Sequence, residues 1–505
     1  MTCLAGSSPG EACPAQSRQV AAAVDPLLPP DETLRSPLDG PVAVKGTGAP
    51  EDVGQWLPAV PWPVIAIHAA LMPTGEVLHY SYPDATPGSR AYLWSPEGGF
   101  NPVNMNQDIF CSGHSLLPDG SLYATGGNDY SCEFQGRVDT HIFNPFTETW
   151  TRLGDMSVAR WYPSNTALGD GRVMITSGLG ADCNLVDEME FYTPGVGLEL
   201  VPEGARHLDL YPRLHLLASG RVAHVGPENE SFTFDPQTRQ WQYVDDAIFG
   251  YRADGTSVEV PGEADNIMLI GGGVTASCER IDFTDPQPEW RTTGSMSFAR
   301  SHLNAVILPD RKVLVVGGGT DDLYGDPVLN AELYDPATEA WTLLPAQAYP
   351  RMYHSTAVLL PDGRVLSAGQ DDGPSAYQSE IYEPAYLFRG PRPVIAAAPG
   401  RIGYAATFEV TTPAADDIAS VALIAPTSVT HSINKGQRYV GLSFTQSDAS
   451  TLAVTGPSSS NRAPPGYYML FILNSQGVPS VARMVRVVFD SIFADGFESG
   501  DTSAW

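Results

Sequence analysis

The chain has 505 residues, among them 49 glycines and 44 prolines, and a charged fraction of only 17%. This composition favours many short strands joined by turns. The formal net charge of −30 at pH 7 repels phosphate backbones and anionic lipid, which argues against nucleic-acid and membrane partners. No apolar run approaches the roughly 18 residues of a membrane-spanning helix, and the first residues do not resemble a signal peptide. We therefore expect an all-β, multidomain protein that is secreted, extracellular or periplasmic, and monomeric.

Six cysteines are too few for a disulfide scaffold, but they allow one or two bridges in an oxidising compartment. Cys3 and Cys13 bracket an N-terminal stretch that reads as flexible, and we expect them to pair. Cys132 and Cys183 lie in comparable loops and form the second predicted pair. The remaining two cysteines, Cys111 among them, are left over.

Residues 1–56 are rich in Pro, Ala, Gly and Asp and predict an extended leader. From residue 57 a unit recurs, with an apolar strand, a tight turn, a strand that often ends in glycine, and a closing segment such as LYDPATEAW. The turn glycines of the first four units are spaced by 45, 51 and 49 residues, at Gly75, Gly120, Gly171 and Gly220. A period of about 50 residues is typical of four-stranded kelch-type blades.

Two more units lie between Gly220 and Gly363, one of them degenerate and the other with Arg311 at its turn. Residues 57–388 therefore predict a seven-bladed β-propeller. Residues 389–490 contain short strands at regular spacing and predict an immunoglobulin-like β-sandwich. Residues 491–505 form an acidic tail to which the sequence assigns no role.

Aligning the units on their turns places reactive side chains at one level. The residues nine positions before the turn are Cys111, Tyr162, Tyr211, His302 and His354, and Tyr353 precedes the last of them. Because the innermost strands line the channel of a propeller, these side chains are expected to gather at its mouth. The alternative is that they fill grooves between blades, where aromatic bodies pack well.

Imidazoles and phenolates together form a nitrogen and oxygen donor set that suits Cu(II) better than tetrahedral zinc. The role of Cys111 stays open on these grounds. It is a ligand, a nucleophile or a buried apolar residue, although no Cys-His-Asx arrangement is legible nearby.

The motifs DIFCSG, ARWYPS, RMYHSTAVLLPDGRV and SVTHSINKGQRYVGLSF, in this order on this architecture, resemble the copper radical oxidases, which include galactose oxidase and glyoxal oxidase. The resemblance covers residues 57–490. It implies one copper ion, with Tyr162, His354 and His431 as equatorial ligands and Tyr353 as the axial ligand. It also implies a thioether between Cys111 and Tyr162, whose oxidised form is a protein radical.

His431 comes from the C-terminal domain, in a strand–turn–strand that we expect to turn at Asn434-Lys435-Gly436 and to reach into the channel. The implied reaction oxidises a primary alcohol or small aldehyde with O₂ and yields H₂O₂. Tyr353 acts as the general base, and the crosslinked tyrosine and copper each take one electron. The substrate partners are thus a small alcohol or aldehyde and dioxygen.

The sequence departs from galactose oxidase in two places. Gly180 stands where that enzyme has a tryptophan over the crosslinked tyrosine, and the N-terminal sugar-binding sandwich is missing. The first departure favours the glyoxal oxidase-like branch, although alcohol oxidases of the family vary at the same place, and the second argues against galactose as the substrate. In the glyoxal oxidase-like branch His68 is the candidate for shielding the radical, with a core histidine as the other interpretation. Further candidates for the pocket walls are Tyr211, His302 and Arg213.

A second class of function is a noncatalytic kelch module that binds a glycan or a protein across its mouth. That function gives no reason for Cys111 to stand beside a ring of metal-ligating residues. Copper content discriminates the two.

Overall fold

The computed structural model describes residues 48–83, 88–129, 135–273, 275–320, 325–371 and 373–489. Most of the predicted leader, the acidic tail and the Cys3–Cys13 pair lie outside these residues, as does Cys132 of the second predicted pair. In the described part of the chain, Cys111 and Cys278 form no disulfide. The predicted architecture is confirmed, because seven antiparallel sheets form a propeller and two more form a C-terminal sandwich.

Each of the first six blades contains four consecutive strands that pair with their neighbours in antiparallel register. The strands of blades one to three are His68–Leu71, Val77–Tyr80, Ala91–Ser95 and Gly99–Pro102; Gly113–Leu116, Leu122–Thr125, Thr140–Asn144 and Thr149–Arg152; Ser164–Ala167, Val173–Thr176, Glu190–Thr193 and Gly197–Leu200. Those of blades four to six are Leu214–Leu216, Val222–His224, Glu230–Asp235 and Gln240–Asp246; Thr256–Glu259, Asn266–Ile270, Cys278–Asp282 and Arg291–Thr293; Ser301–Ile307, Val313–Gly319, Asn330–Asp335 and Ala340–Ala346.

The seventh blade closes the ring with both ends of the propeller. Its inner strands are Ser355–Leu359, Val365–Gly369 and Gln378–Glu383, and the third of these pairs with Gln55–Trp56 and with Val60–Pro61. The blade sheets thus begin at Gln55, two residues ahead of the predicted start. Because the first and last strands of the ring share one sheet, the propeller has no open seam.

Helical segments are few and short: an α-helix at Pro50–Val53 and 3₁₀ turns at Pro202–Gly204, Pro374–Tyr377, Ala385–Phe388 and Ala415–Asp417. No helix in the described ranges has the length and apolar character to cross a membrane. A small hairpin of Asn128–Asp129 and Gln135–Gly136 stands beside blade two.

The turns that revealed the repeat share one backbone conformation. Gly75, Gly120, Gly171, Gly220 and Gly363 all have φ between 83° and 89°, a left-handed conformation that glycine adopts without steric cost. In blade six Arg311 takes this position with φ of 65°. The backbone geometry therefore persists where the glycine is replaced.

The recurrent tryptophans close the blades by a repeated hydrogen bond. The indole Nε1 groups of Trp150, Trp241 and Trp341 donate to carbonyl oxygens of Val103, Gly204 and Gly294, at 2.8, 2.9 and 2.7 Å. In each case the acceptor lies 37 or 47 residues back in the chain, in the connection before the blade. The tryptophan thus ties each outer strand to the preceding blade.

The C-terminal sandwich packs one sheet of five strands against one of three. The larger sheet contains Arg401–Gly403, Arg483–Val488, Gly466–Asn474, Ile418–Ile424 and Tyr439–Leu442, and the smaller contains Thr407–Thr411, Thr451–Thr455 and Phe444–Asp448. A hairpin of Ser428–Thr430 and Ile433–Asn434 leaves this domain and pairs with the inner strand of blade one, where Thr430 faces His68. The second domain therefore reaches the channel of the propeller.

Candidate active site

The residues that the repeat places at the channel mouth share an uncommon backbone conformation. The left-handed φ angles, between 46° and 65°, belong to Cys111, Tyr162, Tyr211, Asp254, His302 and His354. Non-glycine residues pay on the order of 1–3 kcal/mol for such a conformation, and it clusters at functional sites. We call these six residues, one on each of blades two to seven, the mouth ring.

Neighbouring members of the mouth ring are joined through their backbones. The amide of Tyr162 donates to the carbonyl of Cys111 at 3.0 Å, and the amide of Tyr211 donates to that of Tyr162 at 3.0 Å. The side chains of Cys111 and Tyr162 are close enough to influence each other's pKa. The thiol thus lies beside the phenol of the next blade.

Four blades support the mouth ring with the same buried ion pair. An arginine two or three residues before the ring residue pairs with a glutamate on the third strand of its blade, in the pairs Arg160–Glu190, Arg252–Glu279, Arg300–Glu332 and Arg351–Glu380. The other carboxylate oxygen of the glutamate accepts a backbone amide, as in Ser297 to Glu332 at 2.6 Å. These contacts hold the loop that enters each inner strand.

His431 stands at the tip of the C-terminal hairpin. His431 and Ser432 form its two-residue turn, with φ of 48° and 67°, so the expected turn at Asn434-Lys435-Gly436 is wrong. Two positive φ values define a type I′ turn, which normally takes asparagine and glycine. A histidine at this position is held in place by the strand pairing to blade one, which directs it into the channel.

A polar group lies beside the Nδ1 atom of each histidine that is a candidate copper ligand. The Thr430 hydroxyl donates to Ile67 O at 3.0 Å and lies 2.6 Å from His431 Nδ1. Because that hydroxyl proton is already used, His431 Nδ1 must donate, which leaves Nε2 with a free lone pair. His354 Nδ1 lies 3.2 Å from Asp371 Oδ1, which favours the same tautomer. Such partners orient imidazoles for metal binding.

The donor atoms converge on one point. His431 Nε2 lies 3.5 Å from Cys111 Sγ, and His354 Nε2 lies 4.0 Å from the same sulfur. One ligand atom from each of these three residues lies within 4.8 Å of the others. The hydroxyl of Tyr162 hydrogen-bonds that of Tyr353, so the two phenols meet beside the imidazoles.

The ionisation of these groups fits a bound cation. Burial, together with the neighbouring Cys111 and Tyr353, raises the pKa of Tyr162 well above its ordinary value. Burial lowers the pKa of His431 well below its ordinary value, so the imidazole is a neutral donor. Buried phenols of this kind ionise when a metal ion replaces the proton. Two imidazoles and two phenols together form a nitrogen and oxygen donor set that suits Cu(II).

Burial raises the pKa of the Cys111 thiol well above its ordinary value. A protonated, buried thiol is a poor nucleophile. The raised pKa argues against the nucleophilic interpretation that the sequence left open.

The structure places the predicted pocket residues around this centre. The centroid of the Tyr211 ring lies 4.8 Å from the centroids of both the Tyr162 and the His431 rings. His302 contacts the ring of Tyr353 at 5.2 Å, edge to face. His68 accepts the Cys111 amide at 3.0 Å through Nε2.

Two of these placements bear on the predicted roles. The His68 ring stacks on Tyr80 at 4.3 Å, and among the ring contacts in the described residues none joins it to Tyr162. Arg213 is buried, and its guanidinium donates to the carbonyl of Gly255 at 2.6 Å. Arg213 thus supports the loop that carries Asp254.

Three residues of the site were not predicted from the sequence. Asp254 is the mouth-ring residue of blade five, the degenerate blade, and it lies nine positions before Glu263. The Glu263 amide donates to the carbonyl three residues earlier, as the Gly120 amide does in the turn of blade two. Aligning that blade on Glu263 would have found it. Thr430 precedes His431 and had no signal of its own. Asp371 follows a strand end and reaches His354 only through the fold.

Two family models cover most of the chain. Residues 91–384 match the glyoxal oxidase N-terminus, and residues 392–487 match the galactose oxidase-like early set domain. The aldehyde oxidase GLOX of Vitis pseudoreticulata is 32% identical over 450 residues, which are 77% of this chain and 83% of that protein. A galactose oxidase of Gibberella zeae is 27% identical over 488 residues, 86% of this chain and 71% of that protein.

A solved structure supports the same relationship. A fungal alcohol oxidase of the AA5 family, in complex with copper, superimposes with a TM-score of 0.78 at 26% identity and covers 86% of this chain and 100% of its own. These relatives support an oxidase over a noncatalytic propeller. The chain belongs to the copper radical oxidases, and it is a copper-dependent oxidase.

Proposed function

We propose that Tyr162, Tyr353, His354 and His431 hold the copper ion and that Cys111 and Tyr162 become joined by a thioether. The single observation that carries this proposal is the convergence of the two imidazole Nε2 atoms and the Cys111 sulfur on the hydrogen-bonded phenols of Tyr162 and Tyr353. The division into a propeller over residues 57–388, with the strand from Gln55 added to its last blade, and a sandwich over residues 389–490 is part of the proposal.

The residues divide the reaction between them. Oxidation of RCH₂OH by O₂ to RCHO and H₂O₂ removes two electrons and two protons from the alcohol. The Tyr353 phenolate takes the hydroxyl proton, and the oxidised Tyr162 takes the hydrogen from carbon. Copper, when bound, supplies the second one-electron acceptor by cycling between Cu(II) and Cu(I).

The walls of the site exclude water from this chemistry. Phe110 packs edge to face on His354 at 5.5 Å, and Tyr82 packs on Phe110 at 5.5 Å. Trp161 packs edge to face on Tyr162 at 4.4 Å. Apolar rings therefore surround the ligands, which strengthens electrostatic interactions inside the site.

We place the enzyme in the glyoxal oxidase-like branch, acting on small aldehydes or simple primary alcohols rather than on sugars. Support comes from Gly180 at the position of the galactose oxidase tryptophan and from the match to the glyoxal oxidase model over residues 91–384. His68 is proposed to act on the sulfur side of the crosslink, where it accepts the Cys111 amide. Tyr211, His302 and Arg213 are proposed as walls and supports of the pocket.

A substrate panel with a coupled peroxidase readout tests the assignment. Copper-loaded enzyme is expected to release H₂O₂ with small aldehydes and simple primary alcohols and to turn over galactose much more slowly. A preference for galactose over both other groups contradicts the branch assignment. Absence of H₂O₂ with every substrate, at full copper occupancy, contradicts the oxidase itself.

We also propose that the enzyme is secreted and monomeric, with no nucleic-acid or membrane partner. The net charge of −30 supports solubility and self-repulsion. Fractionation of the producing cells and size-exclusion chromatography with light scattering test the two statements. Recovery within the cytoplasm contradicts the first, and a stable dimer mass contradicts the second.

A further inference from the structure

A buried lysine lies behind the radical site. The chain has three lysines, Lys45, Lys312 and Lys435, and Lys435 follows the hairpin that carries His431. Its ammonium donates to the carbonyl of Pro163 at 3.2 Å and lies 4.4 Å above the ring of Tyr211. The C-terminal domain thus inserts a cation next to the strand that carries Tyr162.

This cation has no carboxylate partner in the part of the chain that the structure describes, where no ion pair within 4.0 Å includes Lys435. Burial lowers the pKa of Lys435 to about 7. Three histidines feel its charge, His68, His114 and His431, and burial keeps them neutral. Tyr211 lies beneath the ammonium, and the other basic and acidic side chains on the cavity that Lys435 lines are Arg213, His215, Glu259 and Arg438. An unpaired buried charge is costly, which makes Lys435 a candidate for a role beyond packing.

The surroundings let Lys435 remain charged. A cavity of about 90 Å³ lies along the channel beside it, and its lining includes Ser164, Asn165 and His215. Polar walls of this kind support ordered water. The face of the Tyr211 ring adds a cation–π attraction.

The charge acts on Tyr162 over a short path. Tyr211 packs 4.8 Å from Tyr162, and Pro163, whose carbonyl binds Lys435, directly follows Tyr162. Oxidation of a tyrosinate to a radical removes one electron and one negative charge. A nearby cation stabilises the tyrosinate and leaves the neutral radical unaffected, so it makes the oxidation harder.

We propose that Lys435 is a positioning residue that raises the reduction potential of Tyr162 and thereby makes its oxidised form a stronger acceptor for hydrogen from the substrate. The inference rests on the proposed function, because it assumes that Tyr162 is the redox-active residue. This effect involves no bond formation. The Tyr162 tyrosinate gives one electron to an external oxidant such as ferricyanide, and return of one electron to the radical restores the tyrosinate.

The test is a redox titration of the copper-loaded full chain at pH 6, where Lys435 is mostly protonated, with the visible absorption of the radical as the readout. The measurement is made at the applied potential at which half of Tyr162 in the parent protein is oxidised. At this potential, the ratio of radical to reduced protein is expected to be about tenfold higher in Lys435→Met than in the parent. Lys435→Arg is expected to behave as the parent. Lys312→Met, the same substitution on a lysine paired with Asp335 at 3.3 Å, is the matched control and is expected to change nothing.

Lys435→Gln decides the matter if the methionine variant does not fold, because glutamine keeps a donor for Pro163 and removes only the charge. An unchanged midpoint in a folded, copper-replete neutral variant overturns the inference while the proposed function stands. A shift of equal size in Lys312→Met also overturns it, because the effect is then not local. A parent protein that never develops the radical absorption overturns the proposed function itself.

Discussion

The mouth ring and the C-terminal hairpin bring ligands to one centre by different structural means. Tyr162 and His354 sit on a backbone that six blades repeat, with left-handed φ angles and, in both of their blades, a buried arginine–glutamate pair. His431 sits on a turn that occurs once, held by strand pairing to blade one. The propeller therefore holds its ligands with contacts that also stabilise the fold. The hairpin holds its ligand with a few contacts that the rest of the fold does not depend on.

The segment that directly follows the hairpin contacts three blades. The side-chain Oε1 of Gln437 accepts the amide of Ile307 at 2.9 Å, Arg438 donates to Leu216 O at 3.3 Å, and Lys435 donates to Pro163 O. None of them belongs to the repeated blade pattern. Changes in the hairpin should therefore affect the metal more than the fold, and changes in the blade pairs should do the reverse.

The largest effect on activity is expected from His431→Ala. Loss of one of two imidazole ligands should weaken copper binding by at least about 100-fold and abolish turnover, while the unfolding transition of the metal-free protein stays close to that of the parent. Copper titration and thermal unfolding measure the two quantities. His207→Ala, at an exposed histidine that pairs with Asp187, should keep both. Full copper affinity in His431→Ala would remove this residue from the site.

Arg300→Met should act on stability instead. Arg300 and Glu332 are both fully buried and 2.9 Å apart, and removing one partner leaves a buried charge, which costs about 3–5 kcal/mol. Denaturant unfolding of the metal-free protein measures this loss. Arg239→Met, which breaks a surface pair with Glu199, should change little. Equal small effects of the two substitutions would contradict the structural role of the blade pairs.

Asp371→Ala should fall between these two cases, because Asp371 orients a ligand without being one. Loss of the carboxylate 3.2 Å from His354 Nδ1 should weaken copper binding about 10–100-fold. Asp371→Asn keeps an acceptor and should recover part of the affinity. Asp362→Asn, in the turn of the same blade and paired with Arg364, should not change it. If Asp371→Ala binds copper as the parent does, the tautomer of His354 is set by another group.

The smallest effect is expected in blade two, where the loop before Cys111 carries Asp108 instead of an arginine. Burial raises the pKa of Asp108 to about 6, so the folded protein holds this proton more tightly than the unfolded chain. The associated stability is fully present below about pH 4 and is lost as pH rises through 6. Asp108→Asn, which keeps an acceptor for the Phe110 amide, should therefore be more stable than the parent above pH 6 and by a much smaller margin at pH 4. Unfolding curves at the two pH values check this, and a gain of equal size at both contradicts it.

The repeat made the propeller side of the site predictable. Counting nine residues back from each turn located Cys111, Tyr162 and His354, because a fixed backbone path links the turn to the mouth ring. The same count missed Asp254, since the turn of that blade has no glycine at Glu263. The sequence repeat therefore predicts the mouth-ring residue of a blade only where the turn of that blade can be recognised.

The hairpin side was not predictable from periodicity. His431 came from the resemblance to a known family alone, and its turn was placed three residues too late because Asn-Lys-Gly is the stronger turn signal. The turn is at His431-Ser432, where strand pairing to blade one offsets the conformational cost of the left-handed backbone angles. Asp371 and Lys435 act through contacts between distant parts of the chain, which no local pattern encodes.

The central claim, that Cys111 and Tyr162 form a covalent redox unit, is tested most directly by peptide mass analysis of copper-treated protein. Cleavage after arginine gives residues 91–137, which contain Cys111, and residues 161–172, which contain Tyr162. After full reduction and alkylation, these two peptides should remain joined at a mass two hydrogens below their sum, and Cys111→Ala should abolish the species together with oxidase activity while copper is retained. Fully active enzyme in which Cys111 is recovered as an alkylated, separate peptide would contradict the account.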